Sequence, residues 1–482
     1  MIRLEKIDHE KIEYMPRYFA NGMVEGYYKA DFNRIVVLLK QEISPNSLRD
    51  LHHLCYNFTE YCRDKEVMDF VLRHFNLPLK WIDEKGVYGI EIQPYPSEYY
   101  FLDGKFRNHI KEGKWFCSEK LRNKFLLPSQ RGNTLTLLLC VKDIISLNYL
   151  FQDAGLVIDD LSCATCLVNP DLGNSFFVAW DGVHKYDENP NHIKPTPGFL
   201  SPEQIAQSNI YRFPTYYSNN HALAVLLYQL LLHRHPLRGK KIFDDNPSRD
   251  EELRLGEKAL FIEHPGDKSN EVNVKELMDS EIPYGNPNIR PYTLLGPFLA
   301  RLINLAFVEA LHIPHSRPNP KDWLVAIDKT QYTLIPCSNP TCEEKYYVFQ
   351  EAHKGVCPYC KSKVKGNFPV FNSYSKTGEG KYRYDEFRII GRNGMVISRH
   401  LLYSDKCEDP LSIINAKNGL SIENEDNNWF LSNHCNESVM IVKSQMKIIL
   451  SFNEKILIED GMQIVIMGSA GKLFLVQWLN YK

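Results

Sequence analysis

Four cysteines in the second half of the chain have the spacing of a metal shell. Cys337-Ser-Asn-Pro-Thr-Cys342 is followed, after fourteen residues, by Cys357-Pro-Tyr-Cys360, and a Tyr-rich strand, YYVFQ, lies between the two turns. Two such turns can close a tetrahedral thiolate shell around zinc, and a segment of about 30 residues has little core of its own without one. Four thiolates leave no open position, so the expected metal is structural and not catalytic. With four cysteines at hand, His353 reads as a surface residue. A second set of residues suits phosphoryl transfer. That reaction needs a strand-borne Lys for the phosphates, a carboxylate near the accepting hydroxyl and oxygen ligands for magnesium. Lys40 ends the apolar run RIVVLLK, and Gly22 and Gly26 in NGMVEGYYKA offer a phosphate-covering turn. Asp160 lies in GLVIDDLSCATCLVN and Asp181 in FFVAWDG. Each of these has a bland reading, because strand-end lysines and paired glycines are common. Cys163-Ala-Thr-Cys166, in the Asp160 loop, has the spacing of a redox or metal pair, but two packed thiols is the default.

The elements that would position these residues change character along the chain. Residues 1 to 98 read as a mostly β unit with one helical insertion. RIVVLLK has strand length, and WIDEKGVYGIEIQPYP forms two strand-like runs about a Lys-Gly turn. Between them Ser47 to Phe75 has helical spacing, with Ser44-Pro45-Asn46-Ser47 as the cap. Residues 99 to 332 read as helical. LTLLLCVKDIISLNYLF runs straight into the Asp160 loop, and LLGPFLARLINLAFVEAL is another long apolar helix. ALAVLLYQLLL, Ala222 to Leu232, is too short to span a bilayer and reads as a buried core helix. Clusters at Asp187 to Asn191 and Gly285 to Asn288 read as loops. Residues 333 to 366 hold the four cysteines, and residues 367 to 482 carry strand runs with polar turns, read as an antiparallel β-sandwich.

Composition bounds the partners. A formal net charge of −2 over 482 residues, with both signs well mixed, gives no pull toward nucleic acid or an anionic membrane. The 27 Tyr and 25 Phe mark a globular chain. MIRLEKIDHEKIEYM lacks the apolar core of a secretory signal, and 12 Cys without such a signal argue for reduced thiols or metal ligands. The simplest location is cytoplasmic, without membrane insertion.

Taken in order, these segments resemble the protein-kinase superfamily, in particular a divergent bacterial branch followed by a zinc ribbon and a forkhead-associated-like β-domain. WIDEKGVYGIEIQPYP looks like the strand pair leading to the hinge, and GLVIDDLSCATCLVN like the catalytic loop. TPGFLSPE looks like the end of the activation segment, and SNNHALAVLLYQLLLHRHPLRG like the central buried helix. RPNPKDWLVAI resembles the final lobe helix, so the resemblance makes Arg317 the buried partner of Glu203. The implied fold class is α+β: a two-lobed protein-kinase-like domain, then a small zinc ribbon, then an antiparallel β-sandwich.

The departures from the family pattern fall on the chemistry. Ile158 and Asp159 replace the His and Arg of the catalytic loop, and Asp160 alone keeps the candidate base. Ser162 replaces the loop Lys, and Thr165 stands where the family has its magnesium-binding Asn. Aligning FFVAWDG on its strand sets Ala179 at the second magnesium ligand, Trp180 at the aromatic position and Asp181 next. A two-residue shift would instead make Asp181-Gly182 the magnesium motif. Asn219 stands where the central helix usually has an acid. Asp50 and Glu60 both lie on the helix that could supply a carboxylate for Lys40, and neither is chosen. In the last domain, Gly391-Arg392 and Ser398-Arg399-His400 are similar to phosphothreonine-reading motifs but too close together, so a β-module without phosphopeptide reading is preferred.

The resemblance therefore implies a pseudokinase scaffold with structural zinc, and with ATP bound with or without magnesium at Lys40, Gly22, Gly26, Thr165 and Asp181. Its family context implies protein partners, a metal-dependent protein phosphatase and a von Willebrand A-type protein, in tellurite-resistance-like clusters. Two alternatives stand beside it. One is an active atypical Ser/Thr kinase using Asp160 as base and Asp181 for metal; the other is a purely structural adaptor.

Overall fold

The computed structural model describes residues 23–30, 33–84, 86–186, 196–206, 213–443 and 446–481. Gly22 and the predicted loop at Asp187 to Asn191 lie outside them. The architecture is mixed α+β, with several small antiparallel sheets among helices. Backbone contacts divide the chain into two compact units. The first is Met1–Gly132 with Thr136–Tyr292 and Arg301–Pro320; the second is Asn133–Leu135 with Thr293–Ala300 and Lys321–Lys482. The boundary expected after residue 98 falls inside the first unit and that after residue 366 inside the second.

The first unit opens with four strands, β1 (Val24–Ala30), β2 (Arg34–Leu39), β3 (Lys80–Glu84) and β4 (Val87–Ile92), in the order β1-β2-β4-β3. The β-branched run Ile35-Val36-Val37 is fully buried, which fixes β2 near the centre of this sheet. Between β2 and β3 come α1 (Pro45–His53), α2 (Thr59–Asp64) and α3 (Met68–His74), with one π-helical turn at Leu54–Phe58 joining the first two. Ser44 caps α1, its hydroxyl accepting from the Ser47 N–H at 3.1 Å, and Pro45 fills the first helical position.

After α4 (Glu119–Phe125), helix α5 (Thr134–Asp153) leads into short hairpins. Pro128–Asp153 is long and apolar enough to cross a membrane by length and composition, and 67% of its apolar window is buried inside the protein. It is longer than Ala222–Leu232, and buried core helices share this composition. Four strands of three or four residues follow: β5 (Leu156–Ile158), β6 (Cys166–Asn169), β7 (Asn174–Phe177) and β8 (Val183–Lys185), paired β5 with β8 and β6 with β7. These pairings hold residues 159–165 and 178–182 as two neighbouring loops. Helices α6 (Pro202–Ala206), α7 (Tyr216–Leu232) and α8 (Pro247–Leu255) come next. Every residue of α7 from Ser218 onward is buried, so its apolar composition on all sides is that of a core helix. Helix α9 is Gly296–Asn304.

In the second unit α10 (Pro320–Gln331) precedes the hairpin β9 (Leu334–Pro336) and β10 (Tyr346–Val348). Ten strands follow: β11 (Gly366–Gly378), β12 (Lys381–Ile390), β13 (Met395–Ile397), β14 (Leu420–Glu425), β15 (Asn428–Asn433), β16 (Val439–Lys443), β17 (Met446–Leu450), β18 (Lys455–Leu457), β19 (Gln463–Ile466) and β20 (Leu473–Tyr481), with a short helix α11 (Pro410–Ile414) before β14. They form a six-stranded sheet, β12-β11-β20-β19-β16-β17, and a four-stranded one, β13-β14-β15-β18. Phe371, Ile389 and Val476 of the first sheet and Ile397, Ile422 and Leu431 of the second enter one core. Tyr347, Cys342, Cys357 and Val364 join that core, so the cysteine-bearing segment is partly supported by its neighbour.

Candidate functional site

The four cysteines are built from two similar turns. In the first, the Cys337 N–H donates to the Lys345 carbonyl at 2.7 Å and the Lys345 N–H to the Cys342 carbonyl at 3.3 Å. In the second, the Cys357 N–H donates to the Ser362 carbonyl at 2.9 Å and the Lys361 N–H to the Cys357 carbonyl at 3.0 Å. Lys345 and Lys361 both take left-handed backbone, φ 52° and 63°, and turn the chain sharply behind each cysteine pair. The result brings all four sulfurs within 4.8 Å of one another, with Cys337 and Cys360 Sγ 3.5 Å apart. A tetrahedron with metal–sulfur bonds of about 2.3 Å has edges of about 3.8 Å, whereas a disulfide needs roughly 2.05 Å. This geometry is compatible with a four-thiolate metal site. Burial pushes the Cys342 thiol up and Cys357 up to about 11. At Cys360 burial acts the same way but is outweighed by hydrogen bonds from Ser362, Cys337 and Asn339, which bring it down to about 6. A metal binding all four as thiolates would therefore displace protons.

The loop after β5 is closed on itself. Asp160 accepts two hydrogen bonds from one residue: the Thr196 N–H at 3.0 Å on Oδ1 and its hydroxyl at 2.6 Å on Oδ2. The Thr165 hydroxyl donates within the loop, to the Asp160 carbonyl at 2.8 Å or the Ser162 carbonyl at 3.1 Å, and accepts from the Ser162 N–H at 3.1 Å. Asp159 turns the other way, and its carboxylate meets His184 Nδ1 at 2.9 Å. Burial raises the Asp159 carboxyl, against the hydrogen bond and charge of His184, which lower it.

The neighbouring loop holds Ala179 and Trp180, both buried, and Asp181, which is half-buried. Asp181 lies near Tyr27 of β1: burial and then the Asp181 charge push the Tyr27 phenol up. Gly26 sits inside β1 at a register shift, not in a turn. Lys40 stands exposed just beyond β2, its N–H on the Met23 carbonyl at 2.8 Å, and forms no ion pair among the described residues. The fold thus brings Asp160, Thr165 and Ser162 together and sets Asp181 against β1, while Lys40 forms an ion pair with none of them among the described residues. Asp50 is buried in α1 and Glu60 is exposed in α2.

Two further clamps lie in the first unit. Arg317 meets Glu203 through both guanidinium nitrogens, each at 2.7 Å, and also donates to the Tyr217 and Leu311 carbonyls. Burial alone would raise the Glu203 carboxyl; the Arg317 hydrogen bonds and charge outweigh it and hold it low. At the start of α7, Asn219 holds both backbone groups of one residue, accepting from the Ile158 N–H at 2.8 Å and donating to the Ile158 carbonyl at 2.7 Å. An Asp there could accept but not donate. Asn219→Ala is expected to strand two buried backbone groups and destabilise the first unit by about 2 kcal/mol, with Asn219→Asp losing less. Urea unfolding that moved Asn219→Ala by under about 0.5 kcal/mol, the range of ordinary surface changes, would refute the clamp.

No protein-family model matches this chain, and no curated protein does. The site must therefore be read from its own geometry.

The motif-like residues of the last domain are spent within the fold, most of them on α10 and the turn that follows it. Arg392 donates to the Gln331 and Leu334 carbonyls at 2.7 and 3.2 Å. Ser398 accepts from the Tyr332 hydroxyl at 2.9 Å, and His400 Nε2 lies 2.8 Å from Asp328 Oδ2 with both side chains buried. Arg399 pairs with Glu437. Thr196, the first residue of TPGFLSPE, has no role legible in its sequence pattern, yet it sits between Asp160 and Ser162, whose hydroxyl is 3.1 Å away. Its one signal is its place shortly before a Ser-Pro-Glu stop.

Proposed function

We propose that this protein is a kinase-fold signalling protein that works as a pseudokinase scaffold, engaging protein partners through a zinc ribbon and a forkhead-associated-like β-sandwich. The observation that carries the reading is how the Asp160 loop uses its oxygens. The Thr165 hydroxyl, at the position of a magnesium ligand, is committed to the loop backbone, and Ala179 brings no oxygen at the other. Magnesium offsets most of the triphosphate charge, so losing its ligands removes the largest electrostatic contribution to transfer. Other features agree with a kinase ancestry: the β1-β2-β4-β3 sheet with helices inserted after β2, the Asn219 clamp on the loop strand, and the Glu203–Arg317 pair. The four-thiolate cluster favours zinc, because tetrahedral sulfur sites take zinc or iron–sulfur groups and two short turns suit a single ion. The partners this reading calls for are a metal-dependent protein phosphatase and a von Willebrand A-type protein, in a cytoplasmic setting.

One observation favours the second reading, an active atypical Ser/Thr kinase. Asp181 is a half-buried acid close to Tyr27 on β1, the strand that carries Gly26. The two readings separate by ligand-induced stabilisation, since a ligand that binds only the folded state raises the unfolding midpoint. ATP is expected to raise the midpoint, magnesium to add nothing, and no labelled phosphate to transfer. Transfer that disappears in Asp160→Asn would overturn the scaffold reading and establish the kinase. No shift with any nucleotide would leave the structural adaptor.

A further inference from the structure

The six-stranded sheet of the second unit treats its two margins differently. At one, β12 carries Lys381 and Arg383, both exposed, and a bulge. There Asp385, Glu386 and Phe387 stand against the single Ser373 of β11, and Glu386 takes left-handed backbone, φ 53°. Charges and bulges of this kind keep a sheet edge from pairing with another chain. At the other margin, β17 has no bulge and one charge. Its sequence is Met-Lys-Ile-Ile-Leu, paired with β16 in regular register, and Met446, Ile448 and Ile449 are 57%, 37% and 51% exposed. Phe452, just beyond, is exposed as well. Met446 and Ile448 share a face with Leu450, which enters the core, and Ile448 lies opposite Ile441, which is fully buried. The inner face of the sheet is therefore covered at β16 and bare at β17.

Hydrogen bonding alternates from side to side along a strand. The Ile466 N–H donates to the Lys472 carbonyl at 2.9 Å, toward β20, so Val465 bonds toward β16. Met440, opposite Val465, then bonds toward β19, and Ile441 toward Ile448 of β17. That leaves the N–H and carbonyl groups of Lys447 and Ile449 pointing out of the sheet, with no partner among the described residues. We infer that a second copy of this chain pairs with this edge, β17 antiparallel to β17, so that the two six-stranded sheets run on as one. Only registers that set outward residues against outward residues keep the hydrogen bonds. Centring the pair on Lys447 would oppose two ammonium groups, and centring it on Ile449 runs beyond the end of the strand. The two-fold axis therefore passes between the two Ile448 residues. Lys447 then exchanges hydrogen bonds with Ile449 of the second copy, and Met446 faces Leu450. No like charges meet, and every exposed apolar residue of the strand is covered. An unrelated extended segment would need an apolar pattern and a charge position that a second copy already supplies by symmetry. Pairing at β17 involves neither the Asp160 loop nor a nucleotide.

Light scattering after size exclusion tests this on the full chain with its metal in place, from about 1 to 100 µM, since a dimer's population follows protomer concentration. The wild type is expected to move from the 56.1 kDa of one chain toward twice that mass. Ile449→Pro removes an N–H that the fold leaves unused, so it should weaken association at least about tenfold and still unfold cooperatively. Ile448→Lys, which sets like charges side by side, should do the same and decides the matter if the proline variant does not fold. Cysteine pairing fixes the register. Ile448→Cys should form an inter-chain disulfide at 448, where facing Cα atoms lie about 4.5 Å apart. Lys447→Cys should cross-link at least about tenfold less, because its two copies stand diagonally at about 7–8 Å. A single-chain mass throughout the range, with or without another protein's segment on the edge, would overturn the inference. So would a dimer that both variants leave intact, or cross-linking as strong at 447 as at 448.

Discussion

Removing the proposed zinc from the four-cysteine cluster is expected to loosen the β9–β10 segment and to lower the unfolding midpoint of the second unit by about 10 °C or more. Two turns and a three-residue strand pair give four cysteines little to hold them converged once they are charged, because unbound thiolates repel. The buried contacts of Tyr347, Cys342, Cys357 and Val364 with the neighbouring β-module should retain some of this segment, so the loss is expected to be partial and reversible on adding zinc. Cys357→Ser should act like the chelator, since serine is a poor zinc ligand and Cys357 is fully buried. Metal analysis and calorimetry decide the matter. Fewer than one zinc per freshly purified chain, or an unchanged midpoint after chelation, would defeat the zinc centre.

Arg317→Ala is expected to be the most damaging single change in the first unit outside its apolar core. Arg317 is nearly fully buried and supplies four hydrogen bonds, two to Glu203 and one each to the Tyr217 and Leu311 carbonyls. Its loss leaves two carbonyls and a partly buried carboxylate without their donor, at a cost of about 3 kcal/mol. The midpoint should fall by roughly 5–10 °C. Arg317→Lys keeps the charge but not the two-pronged fit, and should recover only a fraction. The pH dependence supplies a second reading. The folded Glu203 carboxyl is held below its unfolded value near 4.3, so the pair's contribution is present above that value and lost as pH falls through the folded one. This acid-side loss should be absent in Arg317→Ala. An alanine variant as stable as the parent, with the same acid limb, would show that the clamp contributes nothing.

What could be read in the sequence was local. The cysteine spacing led to the converged thiolates because short turns with two fixed ends allow few paths, and the left-handed lysines complete them. Continuous apolar runs marked β2, α5 and α7 because burial on every side leaves no room for a polar stripe. The capped start of α1 at Ser44 and the strand pair of β3 and β4 followed from their turn residues.

Only the tertiary structure decided which side chains meet. Thr196 reaches Asp160 across 36 residues, Asn219 reaches Ile158 across 61, and Arg392 and His400 turn toward α10. The Thr165 hydroxyl goes to its own loop, a fact about backbone path that residue type alone does not carry. Sequence fixes turns and periods, because these depend on neighbours a few residues apart. The partners of a polar side chain depend instead on which distant backbone packing has brought within 3 Å, and so the chemistry of the Asp160 loop had to wait for the fold.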